Sequence, residues 1–150
     1  MEELIKRYDL SPHPEGGYFK EVYRSALKVV SPETGSPRHA VTQIYFLLAA
    51  GQVSRFHRVA HDEIWHFYEG APLTLIRYDG KTVSSRIIGP GEDYTAVIPG
   101  NVWQAAESTG AYTLVGCTVA PGFDFSDFSF FDEKEAEAFK AGYKGYERFI

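Results

Sequence analysis

Apolar residues recur along this chain at alternate positions or in short runs, the period of strands rather than helices. Phe19, Glu21 and Tyr23 alternate against Tyr18, Lys20, Val22 and Arg24, which predicts a strand after the turn-rich connector Pro12-His13-Pro14-Glu15-Gly16-Gly17. In the next apolar stretch, His39–Ala50, the cluster Val41, Thr42, Ile44, Tyr45 and Phe46 favours a central strand. Further strands are expected at Val53–Arg58, Glu63–Glu69, Pro72–Tyr78, Thr82–Ile88, Tyr94–Ile98, Val102–Glu107 and Ala111–Ala120. Asp79-Gly80 reads as a hairpin turn, and Ser31–Pro37 as a loop. Only the ends read as helix. Glu2–Tyr8 sets Leu4 and Ile5 among charges and stops before Ser11-Pro12. Asp132–Gly142 has Asp132 as N-cap, Glu135 three residues on as in a capping box, and Gly142 as stop. About eight short strands at this spacing predict an all-β sandwich or jelly-roll barrel with a short helix outside at each end. Without a repeat or a change of composition, residues 1–150 read as one domain.

Composition adds constraints. Eleven Phe and ten Tyr support strands, and as a monomer they would leave broad apolar faces exposed, so a homodimer is expected. A net charge of −5 with no basic run argues against a nucleic-acid partner. The single cysteine, Cys117, excludes an internal disulfide, fits a reducing compartment and reads as a small buried apolar residue. MEELIKRYDL has no apolar signal core, and no stretch approaches the ~18–20 apolar residues of a membrane span. A cytoplasmic protein with no membrane partner is expected.

The chemistry concentrates in Gly51–Gly70, GQVSRFHRVAHDEIWHFYEG, which holds His57, His61 and His66 with the acidic pair Asp62 and Glu63. By strand parity Val53, Arg55, His57 and Val59 share one face, and a break near Ala60–Asp62 starts a second strand with Glu63, Trp65 and Phe67. An imidazole and a carboxylate then converge inside a sheet, which suits a metal, a proton transfer or both. His61, at the break, is expected to be an exposed turn histidine unless the turn folds inward. His66, of opposite parity to Glu63, should point away from the cavity. His13 and His39 lie in or beside loops and carry little information.

The spacing Gly51-x5-His57-x-Val59-x3-Glu63-x6-Gly70 resembles the first cupin motif, G-x5-H-x-H-x3-E-x6-G, with Val59 where the second histidine belongs. The second motif has a weaker counterpart at Gly91–Ser108, with Pro99 in place and Gln104 where a metal-binding histidine is usual. The strings SPHPEGGYFKEVYRS, RFHRVAHDEIWHFYEG, IPGNVWQAAE and VGCTVAPGFDFSDF resemble the fifth cupin family, formerly a domain of unknown function. That resemblance implies an RmlC-like double-stranded β-helix, commonly dimeric, and no settled reaction. Carried over, the four-ligand metal set becomes His57, Val59, Glu63 and Gln104, one ligand being lost and another reduced to a weak amide donor. No cofactor, or a weakly bound divalent metal held by His57, Glu63 and Gln104, is therefore expected.

Three functions stay open. The first is an isomerase or epimerase acting on a small carbohydrate-like or anionic ligand, with His57 as base and Glu63 tuning it. Metal-free sugar-nucleotide epimerases of the superfamily pair a strand histidine with an arginine, the role Arg55 would take. Tyr18, Thr42, Tyr45, Trp103 and Gln104 are then ligand contacts. The second is a cupin that binds a small ligand without turnover. The third, a metal-dependent dioxygenase or hydrolase, is disfavoured by the incomplete ligand set.

Overall fold

The alternating segments pair into two antiparallel sheets in the computed structural model, which describes residues 1–150. The chain runs through helix α1 (Glu2–Arg7), β1 (Ser11–Pro12), β2 (Tyr18–Arg24), β3 (Lys28–Val30), β4 (Pro37–His39) and β5 (Thr42–Ala49). Strands β6 (Val53–Arg58), β7 (Asp62–Gly70), β8 (Leu73–Tyr78), β9 (Val83–Ile88) and β10 (Thr95–Ile98) follow. Last come β11 (Trp103–Ser108), β12 (Tyr112–Ala120), β13 (Ser129–Phe130) and helix α2 (Glu133–Gly142). One sheet has the order β1-β2-β5-β12-β7-β10 and the other β13-β6-β11-β8-β9, while β3 and β4 form a separate hairpin. From β5 to β8 each strand enters the sheet opposite its predecessor, the winding of a jelly roll. The expected all-β fold is therefore observed. The additional strands β1, β3, β4 and β13 have two or three residues each, too few for a sequence period to register.

Residues of one parity fill the space between the sheets. Phe46, Leu48, Trp65, Leu75, Ile98 and Val115 belong to this inner cluster. The opposite parity of the smaller sheet, Phe56, Ile76, Trp103 and Ala105, is covered by Phe139 of α2 and by Phe149. Helix α1 brings Leu4 and Ile5 against Leu47 and Leu114 of the larger sheet. Both helices thus lie outside the sandwich. The capping box holds the start of α2, since Asp132 Oδ1 accepts from Glu135 N (2.7 Å) and Glu135 Oε2 from Asp132 N (2.9 Å). None of the helices is long and apolar enough to cross a membrane.

A bulge in β6 sets up the site. Opposite β11 the register runs from Gln104↔His57 to Ala106↔Ser54, so β6 carries one residue more than its partner. Ser54 and His57 are buried among the inner side chains, Phe56 joins the cluster under α2, and Arg55 is exposed. The bulge also leaves the Arg55 N–H free to donate to the carbonyl of Glu15 (2.8 Å). The loop His13–Gly17 is thereby fastened to β6. Gly16 makes the approach possible: its φ is +112°, and a Cβ there would sit 2.1 Å from the Val53 carbonyl oxygen.

Phe139 is 2% exposed and contacts Phe56, Tyr78 and Phe131 through ring centroids 4.9–5.2 Å away. Phe139→Ala should cost about 3–5 kcal/mol in equilibrium denaturant unfolding, the range for a large buried aromatic. A loss below about 1 kcal/mol would mean that α2 unfolds independently of the sandwich.

Candidate functional site

Side chains facing inward near the bulge do not fill the sandwich. They leave a cavity of about 330 Å³ between β2, β5, β7 and β12 on one side and β6 on the other, covered by the segment around Phe123–Phe128. Glu15, His57 and Glu63 are buried along it, while Glu21, Arg24 and Asp124 stand at its exposed end. Loop docking brings in Glu15, the bulge brings in His57, and parity on β7 brings in Glu63.

The polar groups form a directed network. His57 Nδ1–H donates to the Arg55 carbonyl (2.7 Å), which leaves Nε2 as the acceptor, 3.0 Å from Glu15 Oε2. Glu15 Oε1 accepts from the Ser54 hydroxyl (2.8 Å). His13 Nδ1 accepts the Glu15 backbone N–H (3.2 Å), so its Nε2 is the donor when the ring is neutral. On the β7 side the Gln104 amide donates to Glu63 Oε2, and the Gln104 carbonyl oxygen accepts from Trp65 Nε1 (2.8 Å). Cys117 sets its thiol beside Glu63.

Burial governs the protonation states. Loss of water around Glu63 pushes its carboxyl up to about 7, against the opposing pull of His57. Burial also raises Glu15 and Cys117, and it lowers His57 and His13. Glu15 and His57 accordingly favour a neutral pair, the carboxyl donating to Nε2. Glu63 is left as a group that changes charge near neutral pH.

Residues 2–131 match the model of a family described as Cupin superfamily (DUF985). The chain belongs to this family. Similar proteins include a hypothetical protein from Leishmania major, 35% identical with a TM-score of 0.85, the alignment covering 99% of this chain and 95% of that one. A solved protein from Shewanella oneidensis is 33% identical with a TM-score of 0.83, over 97% of this chain and 91% of its own. The uncharacterised protein YML079W of Saccharomyces cerevisiae is 32% identical across 87% of this chain and 74% of its own length.

The metal set of the superfamily does not fit this cupin. Val59 lines the cavity with methyl groups, and the one possible Gln104 donor, its carbonyl oxygen, is turned to the Trp65 indole. His57 Nε2 is held by Glu15. No group of three or more His, Cys, Asp or Glu side chains is arranged to hold a metal ion. Gln104 therefore supports Glu63 from behind.

Of the residues expected at the site, His57, Glu63 and Thr42 line the cavity, and Gln104 reaches it through Glu63. Four others do not. Arg55 is turned out by the bulge and lies over the Phe130 ring, 4.3 Å from its centroid. Tyr45, three positions from Thr42, has the opposite parity and contacts Tyr8 and Tyr68 on the outer face. Tyr18 joins the cluster beneath α1, its neighbour Phe19 being the one that faces the cavity. Trp103 lies under α2 with Arg58 over its ring, because its neighbour Gln104 takes the inward position. His61 is not an exposed turn residue either: it is 3% exposed, with Nε2 2.6 Å from Ser31 Oγ, because the β3–β4 hairpin folds over it. His66 points outward as expected, its Nε2 3.2 Å from Thr118 Oγ1.

Two further cavity residues, His13 and Glu15, sit in a connector without periodicity, so no strand pattern points to them. The available signal was Gly16-Gly17 directly after a charged residue, a sign of close backbone approach.

A buried carboxyl with a raised pKa contributes stability fully below its unfolded value, and that contribution is lost as pH rises through its folded value. For Glu63 the window runs from 4.5 to about 7. The stability advantage of Glu63→Gln over wild type should widen across that window, by up to roughly 3 kcal/mol, and level off above it. Unfolding curves at several pH values check this. A constant difference would mean that Glu63 ionises as freely as in the unfolded chain.

Proposed function

We propose that the cavity carries out proton transfer on a small carbonyl-bearing, carbohydrate-like ligand, an isomerisation or epimerisation. The observation that carries this is the placing of Glu63, a buried carboxyl raised to about 7, in one cavity with the hydrogen-bonded His57–Glu15 pair. A C–H adjacent to the ligand carbonyl loses its proton to the Glu63 carboxylate. The electron pair moves to the carbonyl oxygen, which takes a proton from the Glu15–His57 side. Glu63 then returns its proton to the former carbonyl carbon, while the hydroxyl on the first carbon gives its proton back to the Glu15–His57 side. This re-forms a carbonyl there and restores both protein groups. For epimerisation the enol hydroxyl returns its proton to that side as the first carbon is reprotonated from Glu63 after the ligand has turned its other face. His57 then relays and positions, and the base role expected of it falls to Glu63. The cavity volume suits a ligand of this size.

Binding without turnover is the second reading. It is favoured by the fact that Glu15 and His57 already satisfy each other within the protein. Incubation with sugars and sugar nucleotides in deuterated water, followed by NMR, separates the two. Proton transfer predicts deuterium at a ligand carbon, with a loss of at least about a hundredfold in Glu63→Gln, the usual weight of a general base. Ligands that bind but acquire no deuterium would leave the binding reading in place.

We also infer a homodimer. On the outer face of the larger sheet, Tyr23, Gln43, Thr118, Ile64 and Val97 form one cross-strand row. Tyr23, Ile64 and Val97 are 55%, 36% and 52% exposed. Such a surface suits an isologous contact. Sedimentation at micromolar concentration should give twice the 16.8 kDa chain mass, and Val97→Arg should halve it. A wild-type monomer would refute the assembly.

A further inference from the structure

The charge class of the ligand can be read from the cavity walls. Four carboxyls line the cavity, those of Glu15, Glu21, Glu63 and Asp124, against a single permanent cation, Arg24. That cation is engaged: Arg24 Nε and Nη2 lie 2.8 and 2.7 Å from the two Glu21 oxygens, and Nη1 donates to the Phe123 carbonyl (3.2 Å). The imidazoles of His13 and His57 favour their neutral forms because they are buried. No unpaired cation remains to receive an anionic group.

Two further observations point inward. Glu63 is 7% exposed and lines the cavity, with one oxygen held by Gln104, the Cys117 thiol beside it, and His57 and Glu15 close enough to act on its charge. The other walls are aromatic. Phe123, Phe125 and Phe128 form a cluster with centroids 4.9–6.2 Å apart, and Phe19 lines the cavity with them. Ring faces carry negative potential and attract cations.

We infer that the cavity selects a small organic cation, a ligand bearing a protonated amine or amidine on a flat or apolar body. The nitrogen sits at Glu63 with its charge-assisted hydrogen bonds, and the body lies against the phenylalanines. An anion in the same place would face the ionised Glu63 carboxylate in a medium of low dielectric, with no cation to offset the repulsion. The anionic alternative left open by the sequence is thereby disfavoured. This inference rests on the small-ligand reading above, narrows the ligand class to amino-bearing compounds, and favours binding over turnover, because a carboxylate that holds the ligand's nitrogen is not free to take a C–H proton.

Three probes of one shape and different charge test it: benzylamine, benzyl alcohol and benzoate, titrated into the labelled full-length protein at pH 7.5 and followed by amide NMR shifts. The expected result is that benzylamine shifts the signals of His57, Glu63 and Phe125 with an affinity at least tenfold above that of benzyl alcohol. Benzoate should leave these signals unmoved. Glu63→Gln should reduce benzylamine to the affinity of the alcohol and leave the alcohol unchanged. Phe125→Ala, at a position 53% exposed and safe for folding, should weaken benzylamine severalfold. Benzoate binding as tightly as benzylamine, or full benzylamine affinity in Glu63→Gln, would overturn the cation inference and leave the small-ligand reading standing. If none of the three probes moves any cavity signal, the small-ligand reading fails and the inference with it.

Discussion

The docking of His13–Gly17 onto the bulge of β6 is the contact on which the site depends. The bulge frees the Arg55 N–H, the Glu15 carbonyl accepts it, and Gly16 lets the two backbones meet where any Cβ would collide with the Val53 carbonyl. Glu15 is thereby fixed with one oxygen on Ser54 and the other on His57. The same bulge turns His57 inward and Arg55 outward. One irregularity in one strand thus sets the position of the imidazole, its hydrogen-bonded partner and the removal of a guanidinium from the cavity.

With that guanidinium outside, the electrostatics of the cavity follow from desolvation. Two buried carboxyls and two partly or fully buried imidazoles share a small space with no fixed cation at its floor. Each loses water that would stabilise its charge, so acids rise and bases fall until neutral forms compete with ionised ones. Gln104 limits the rise of Glu63 by donating to it, and Trp65 fixes which end of that amide faces the acid. The superfamily position that elsewhere holds a metal-binding histidine here tunes a carboxyl.

Much of this was legible in the sequence where periodicity holds. The strands from Thr42 onward, the capping box at Asp132 and the inward pairing of His57 with Glu63 follow from alternation and motif spacing. Structure and pattern part where alternation breaks. An unbroken strand would put Arg55 on the face of His57, and one extra residue reverses it. Thr42 and Tyr45, three positions apart on one strand, take opposite faces, so only Thr42 meets the cavity. His13, Glu15 and His61 belong to segments whose positions are set by distant docking contacts, which no local pattern encodes.

The protonation of the buried glutamates decides the account. In protein labelled with carbon-13 at the glutamate side-chain carboxyls, an NMR titration follows each carboxyl through its own midpoint. Glu63 should titrate near 7 and Glu15, raised by burial, above the usual carboxylate range, each assigned by its Gln variant. If every glutamate in the chain titrates near 4–5, the carboxyls are hydrated and charged, and the proton-transfer site described here does not exist.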